Sequence, residues 1–123
     1  MWYIDIGFSE HMEGDKYKFM SFNEINKEKN VRLKNNSPTA IKGKGTVLLK
    51  EKVKTRNVLF ITGLKHDLLS VNQICDQGHE VVFISRNCVV RNLDTGEIII
   101  KGMRSPGCVY VSKGGLEHFY LRR

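Results

Sequence analysis

Short apolar runs separated by turn residues dominate the chain, and one stretch alternates at helical spacing. The first run, Trp2-Tyr3-Ile4, ends in Asp5 and is followed by Gly7. Three apolar residues in succession predict a short buried strand. Asn57-Val58-Leu59-Phe60-Ile61 is the clearest buried strand in the sequence. Val31-Arg32-Leu33, Glu80–Ile84, Cys88–Arg91, Ile98–Ile100 and Val109–Val111 predict five more. The separators are rich in Asn, Asp, Ser, Gly and Pro, which favour turns: Asn26–Asn30, Asn35-Asn36-Ser37-Pro38, Thr62-Gly63, Ser85-Arg86-Asn87 and Asn92–Glu97. Tyr17, Phe19, Met20, Phe22 and Ile25 fit neither a helical nor a strand period. From Asp67 to Gln77 the apolar positions Leu68, Leu69, Val71, Ile74 and Cys75 form a helical stripe. Asp67 is placed as its N-cap and Gly78 as its stop. The pattern predicts a small, mostly β domain with one short helix.

Composition narrows the class. A chain of 123 residues suits one domain, and 41% hydrophobic residues suffice for a modest core. No apolar run approaches the ~20 residues needed to cross a bilayer. No basic segment followed by an apolar one marks a secretory signal. Cys75, Cys88 and Cys108 are widely spaced, with no C-x-x-C pair. They read as reduced thiols of an intracellular, cytoplasmic protein, and no metal is expected. The net charge is +7, from 20 basic and 13 acidic residues. That balance permits nucleic-acid binding. No nucleic-acid motif accompanies it, and the aromatics are read as not interleaved with the basic clusters.

The candidate chemistry centres on Asp5. A carboxylate at the inner end of a buried strand needs hydrogen-bond partners, because an unpaired buried charge is costly. Gly7 permits a tight turn beside it. Strand, Asp, any residue, Gly is the layout of an aspartic-protease loop, in which two carboxylates share a proton and activate a water. Asp94-Thr95-Gly96 spells a similar tripeptide, but Arg91 and Asn92 precede it and Glu97 follows. It reads as a hairpin turn with Gly at positive φ. Gly43 and Gly45 lack the rest of any phosphate-loop motif and read as glycines at a bulge or bend. Lys50, Lys52, Lys54 and Arg56 alternate with Glu51, Val53 and Thr55, as on a basic, solvent-facing strand. His11 has no matching nucleophile and is expected to pack beside the first loop.

Trp2-Tyr3-Ile4-Asp5-x-Gly7 with His11-Met12 resembles the start of the protease region of copia-type retrotransposon polyproteins, W-x-x-D-S-G-A/C-S-x-H-M. Asn57-Val58-Leu59 followed by Gly63-Leu64 and Leu68-Leu69-Ser70-x-x-Gln73 resembles that family's N-V-L-x-x-x-G-L-x-x-N-L-L-S-x-x-Q-L. Gly43-Lys44-Gly45-Thr46-Val47 is similar to its G-x-G-T-V/I. The resemblance covers Trp2 to about Val111. It implies a closed β-barrel of the retropepsin kind, with Asp5 catalytic and Gly7 shaping the loop. Leu68-Leu69-Ser70 would be the apolar pair and small residue leading into a short helix after the last barrel strand. The segment from Ile41 onward would be the flap. No cofactor is implied. The substrate would be the element's own polyprotein. With one catalytic loop per chain, the partner would be a second copy in a C2 homodimer.

Two residues depart from the family pattern. Ile6 stands where a Ser or Thr hydroxyl would bond across the dimer, and Phe8 replaces a small residue. Both would crowd a two-fold interface and weaken the site. With a start so close to Trp2, they read as marks of a decayed or truncated copy. Residues 1–112 are taken as the barrel domain and 113–123 as a linker toward a following segment. The alternatives are a catalytically inactive β-barrel remnant and a basic nucleic-acid-binding module.

Overall fold

The computed structural model describes residues 2–25, 29–32, 38–50, 53–64, 66–105, 109–112 and 119–122. The chain forms β1 (Trp2–Asp5), β2 (Met12–Glu13), β3 (Phe19–Glu24), β4 (Asn30–Arg32), β5 (Pro38–Ala40), β6 (Gly43–Lys50) and β7 (Val53–Phe60). It continues with β8 (Asp67–Ser70), α1 (Val71–Asp76), β9 (His79–Ile84), β10 (Asn87–Asn92), β11 (Ile98–Ser105), β12 (Val109–Ser112) and β13 (Phe119–Arg122). Among the described residues the chain is thus mostly β with one short α-helix, as its pattern predicts. It divides into two compact units, one of Met1–His11 with His66–Arg123 and one of Met12–Lys65. Among the described residues neither unit closes a sheet into a barrel.

In the first unit β1 lies between β8 and β13, parallel to both. Trp2, Ile4, Leu68 and Leu69 are buried on it. A strand covered on both faces carries a continuous apolar run, which is why Trp2-Tyr3-Ile4 and Leu68-Leu69 do not alternate with polar residues. The expected helix over Asp67–Gln77 is therefore corrected. Leu68-Leu69-Ser70 belongs to β8, and the helix begins only at Val71, with Ser70 as N-cap and not Asp67. The stripe misled because two apolar residues in a row satisfy a helical face and a buried strand equally well. Pairing with β1 decides for the strand. Gly78, at φ +83°, ends α1 as expected. A second sheet follows, an antiparallel meander in the order β12-β11-β10-β9. Cys88 faces Gly102 and Val90 faces Ile100 across β10 and β11, and Cys88, Val90 and Ile100 form its buried face. Residues 119–122, within the stretch read as a linker, make β13 against β1. Residues 113–118 lie outside the described residues, as does Cys108.

In the second unit β2 pairs parallel with β7, and β7, β6 and β3 continue antiparallel. The segment Tyr17–Ile25, which fits no period, is a 3-10 turn at Lys16–Lys18 followed by β3. Asp15 caps the turn by accepting the Tyr17 N–H. Phe19, Phe22 and Phe60 meet edge to face, with ring centroids 5.4 to 6.0 Å apart. Gly43 and Gly45 make that cluster possible. A Cβ on Gly43 would strike the Phe22 ring, and one on Gly45 would strike the Ser21 carbonyl and Phe19. The two glycines thus serve close packing, with a bulge between Gly45 and Val47. β6 and β7 form an antiparallel hairpin in the segment where the resemblance places the flap. Residues 51–52 lie outside the described residues, as do 26–28 and 35–37 of two expected turns and Leu33 of the expected strand Val31–Leu33. Lys54 and Arg56 are exposed on β7 and Thr55 between them is buried, so the expected alternation holds over 54–56, whereas Lys50 ends β6 and does not share that strand.

Asn57 opens the most apolar run of β7 with φ +58°. Between Thr55 and Val58 the strand carries one residue more than its partner, so Asn57 sits in a bulge. Asn tolerates the left-handed region that β-branched residues resist. Asn57→Val is expected to lower stability by about 1–2 kcal/mol, and Asn57→Gly by less than half as much. Urea midpoints of the two variants test this. Equal losses would mean that the backbone conformation is not what selects Asn here.

Candidate functional site

Asp5 closes β1, in register with Ser70 of β8 on one side and Arg122 of β13 on the other. Its residue surface is 1% exposed. One carboxylate oxygen, Oδ1, accepts the Gly7 N–H at 2.7 Å. The other, Oδ2, is buried and has no hydrogen-bond partner among the described residues. A Cβ at position 7 would lie 3.2 Å from Oδ1, so Gly7 lets the backbone turn onto the carboxylate. Ile6, at the apex of this turn, is 47% exposed. Phe8 is half-buried.

The loop that carries Ile6, Gly7 and Phe8 is anchored by three side chains. Ser70 Oγ donates to the Phe8 carbonyl at 2.7 Å. The Ser70 N–H donates to His11 Nδ1 at 2.9 Å, and the His11 N–H donates to Gln73 Oε1 at 2.8 Å. Ser70 Oγ also caps α1 by accepting the Gln73 N–H at 3.1 Å. Ser-x-x-Gln at a helix start is a capping box, in which the Gln side chain normally returns to the Ser N–H. Here His11 is inserted between the two halves of the box. Its ring nitrogen takes the Ser70 N–H and its own N–H takes the Gln73 oxygen.

That arrangement fixes the chemistry of His11. Nδ1 accepts, so the ring is the neutral tautomer with its proton on Nε2. Burial with 1% exposure disfavours the cation and pushes its pKa from 6.5 down to about 4. His11 is thus a structural acceptor beside the loop. The S-x-x-Q spacing was the available signal for a helix start at Ser70. Nothing in the sequence pairs His11 with residues about sixty positions away.

The remaining candidates fall elsewhere. Asp94 lies in the exposed turn joining β10 and β11. Asn92 Oδ1 accepts the N–H groups of Asp94 and Thr95 at 2.8 and 3.1 Å, and Gly96 has φ +74°. Cys88 is buried, and burial pushes its thiol up to about 11 against a backbone hydrogen bond involving Gly102, so it is an inert thiol. Cys75 is exposed. No group of metal-ligating side chains occurs among the described residues, and no helix there is long and apolar enough to cross a membrane. A buried acid in the second unit escaped the sequence reading. Glu13 Oε2 accepts the Gly14 and Asp15 N–H groups at 2.9 and 3.3 Å, and Lys18 Nζ stands 4.0 Å from Oε1.

The His11 arrangement carries a stability prediction. The unfolded chain protonates His11 below pH about 6.5, the folded chain only below about 4. Between those values the unfolded state binds more protons, so stability falls as pH falls. The loss amounts to about 3 kcal/mol, at roughly 1.4 kcal/mol per unit. His11→Asn keeps an acceptor but cannot titrate. Its urea midpoint is expected to change less between pH 7 and 4 than that of the parent chain. An unaltered slope would remove His11 as the acid-sensitive group.

Residues 2–79 match a family model described as Pol polyprotein, beta-barrel domain. No curated protein and no solved structure matches the chain.

Proposed function

The chain belongs to the Pol polyprotein beta-barrel domain family, and from that premise we propose that it is an aspartic endopeptidase domain of a copia-type retrotransposon polyprotein. Its substrate is the element's own polyprotein, and its site forms between two copies related by a two-fold axis. The observation that carries this reading is the state of Asp5. One oxygen is held by the Gly7 N–H, and the other is buried with no hydrogen-bond partner among the described residues. Such an atom suits a proton shared with a second Asp5. One carboxylate would then take a proton from water while the other, protonated, polarises the scissile carbonyl. The pair would set the pH dependence together. Asp94, in a solvent-exposed hairpin, has no part in it. The closed barrel of the retropepsin kind belongs to the same proposal.

Two features favour a second reading, an inactive domain of the same family. Asp5 is 1% exposed in the single chain, so a second carboxylate reaches it only if covering residues move. Ile6, half exposed at the loop apex, presents an apolar branched side chain where a hydroxyl would bond across the dimer.

Cleavage of a polyprotein-derived peptide decides between the two. The assay belongs at about pH 5, where His11 is still neutral and the loop anchor intact. Under the endopeptidase reading Asp5→Asn abolishes cleavage and Asp94→Asn leaves it unchanged. The reverse pattern would move the catalytic role to Asp94.

Ile6→Ser combined with Phe8→Ala tests the departures. Two restored bonds of about 1 kcal/mol each would tighten a dimer roughly thirtyfold. The parent chain is expected to sediment mostly as monomer at micromolar concentration with little cleavage, and the double variant to show pepstatin-sensitive cleavage. A tight dimer or equal cleavage in the parent would mean that Ile6 and Phe8 are tolerated. Absence of cleavage from both, with both folded and dimeric, would leave the inactive reading.

A further inference from the structure

The basic charge of this chain is not spread evenly. The unit Met12–Lys65 contains 13 Lys and Arg against 5 Asp and Glu, whereas the other unit contains 7 against 8, which together make the 20 and 13 of the whole chain. The excess of +7 thus lies wholly in a stretch of 54 residues that carries +8, while the other unit carries −1. A field of one sign on one unit attracts polyanions.

The aromatic groups of that unit lie among its cations. Lys16-Tyr17-Lys18 forms the 3-10 turn, and Tyr17 is 96% exposed between the two lysines. Lys16 Nζ lies 5.2 Å from the centroid of the Phe22 ring. An open pocket of about 380 Å³ is walled by Phe22 and Phe60, with Lys16 and Lys42 at its sides and Glu24 facing Lys16 at 3.9 Å. Lys54 and Arg56 are exposed on β7, and Leu48, directly opposite Lys54 on β6, is also exposed. Aromatics and basic residues are therefore interleaved at Lys16–Phe22, contrary to the reading of the sequence.

We propose that the unit Met12–Lys65 binds single-stranded nucleic acid without sequence preference. Its exposed lysines and arginines contact phosphates, and Tyr17 and the Phe22–Phe60 pocket receive bases. Stacking on aromatic faces is tolerant of sequence because every base has a π-face. An anionic membrane would satisfy the charge alone. It would leave the aromatic pocket unused, and the unit has no amphipathic helix among its described residues. The proposal is independent of peptidase activity and stands or falls without it.

Fluorescence polarisation of the full chain with a labelled single-stranded RNA of about 16 nucleotides and mixed sequence tests this. Binding is expected with Kd of about 1–100 µM, and contact with about four phosphates would weaken it roughly fiftyfold between about 50 and 200 mM salt. The exposed pair Lys54→Gln with Arg56→Gln should reduce the salt slope by about 1.4. Tyr17→Ala should lower affinity at least about fivefold with the slope unchanged. Arg86→Gln with Lys101→Gln, which removes two exposed cations of the other unit, should have no effect. Circular dichroism of each variant separates lost binding from lost folding. Absence of binding at the lowest salt, equal losses in the Arg86 and Lys101 variant, or capture by phosphatidylserine vesicles without RNA binding would overturn the proposal. Binding that Tyr17→Ala leaves intact would overturn its stacking component.

Discussion

His11, held between Ser70 and Gln73, is the constraint on which the candidate loop depends. Two hydrogen bonds tie its backbone and ring to the junction of β8 and α1, and the Ser70 hydroxyl adds a third bond to Phe8. All three are buried or partly buried, where an unmade hydrogen bond costs more than a made one contributes. The loop between Asp5 and His11 therefore has one conformation in which its polar groups are served. A further bond marks where β8 ends, since Ser70, opposite Asp5 on β8, caps α1 by accepting the Gln73 N–H.

This anchor is neutral by construction. A ring that accepts through Nδ1 cannot also carry a proton there, and burial opposes the cation. Asp5 and His11 lie in one unit of the fold, and the loop between them is anchored through a ring that accepts only while it is neutral.

The second unit solves a different problem. It is short, Met12–Lys65, and a small unit has little apolar area to bury. It gains area by laying the rings of Phe19 and Phe22 against a strand stripped of side chains at Gly43 and Gly45. Its surface is left to cations, Lys54 and Arg56 among them. Packing and charge thereby fall on different residues of the same short strands, which lets a marginal core coexist with a strongly basic face.

Much of this is legible in the amino-acid sequence. The apolar runs ending at Ile4 and Ile61, the turn at Asp94–Gly96, the stop at Gly78 and the outward-facing Lys54 and Arg56 all follow from local rules, because a turn residue or an alternating strand is determined by near neighbours. The sequence by itself determined a mostly β chain with one short helix, a basic balance and a candidate carboxylate at Asp5. What it left open is decided by partners far away along the chain. Leu68-Leu69 suits a helix or a buried strand until β1 pairs with it. His11 is an isolated histidine until Ser70 and Gln73 arrive beside it. Asn57 gains its meaning from a bulge that exists only when β6 sets the register. Only the tertiary structure decided these, since periodicity reports which face of a segment is apolar and carries no information about which backbone will take its hydrogen bonds.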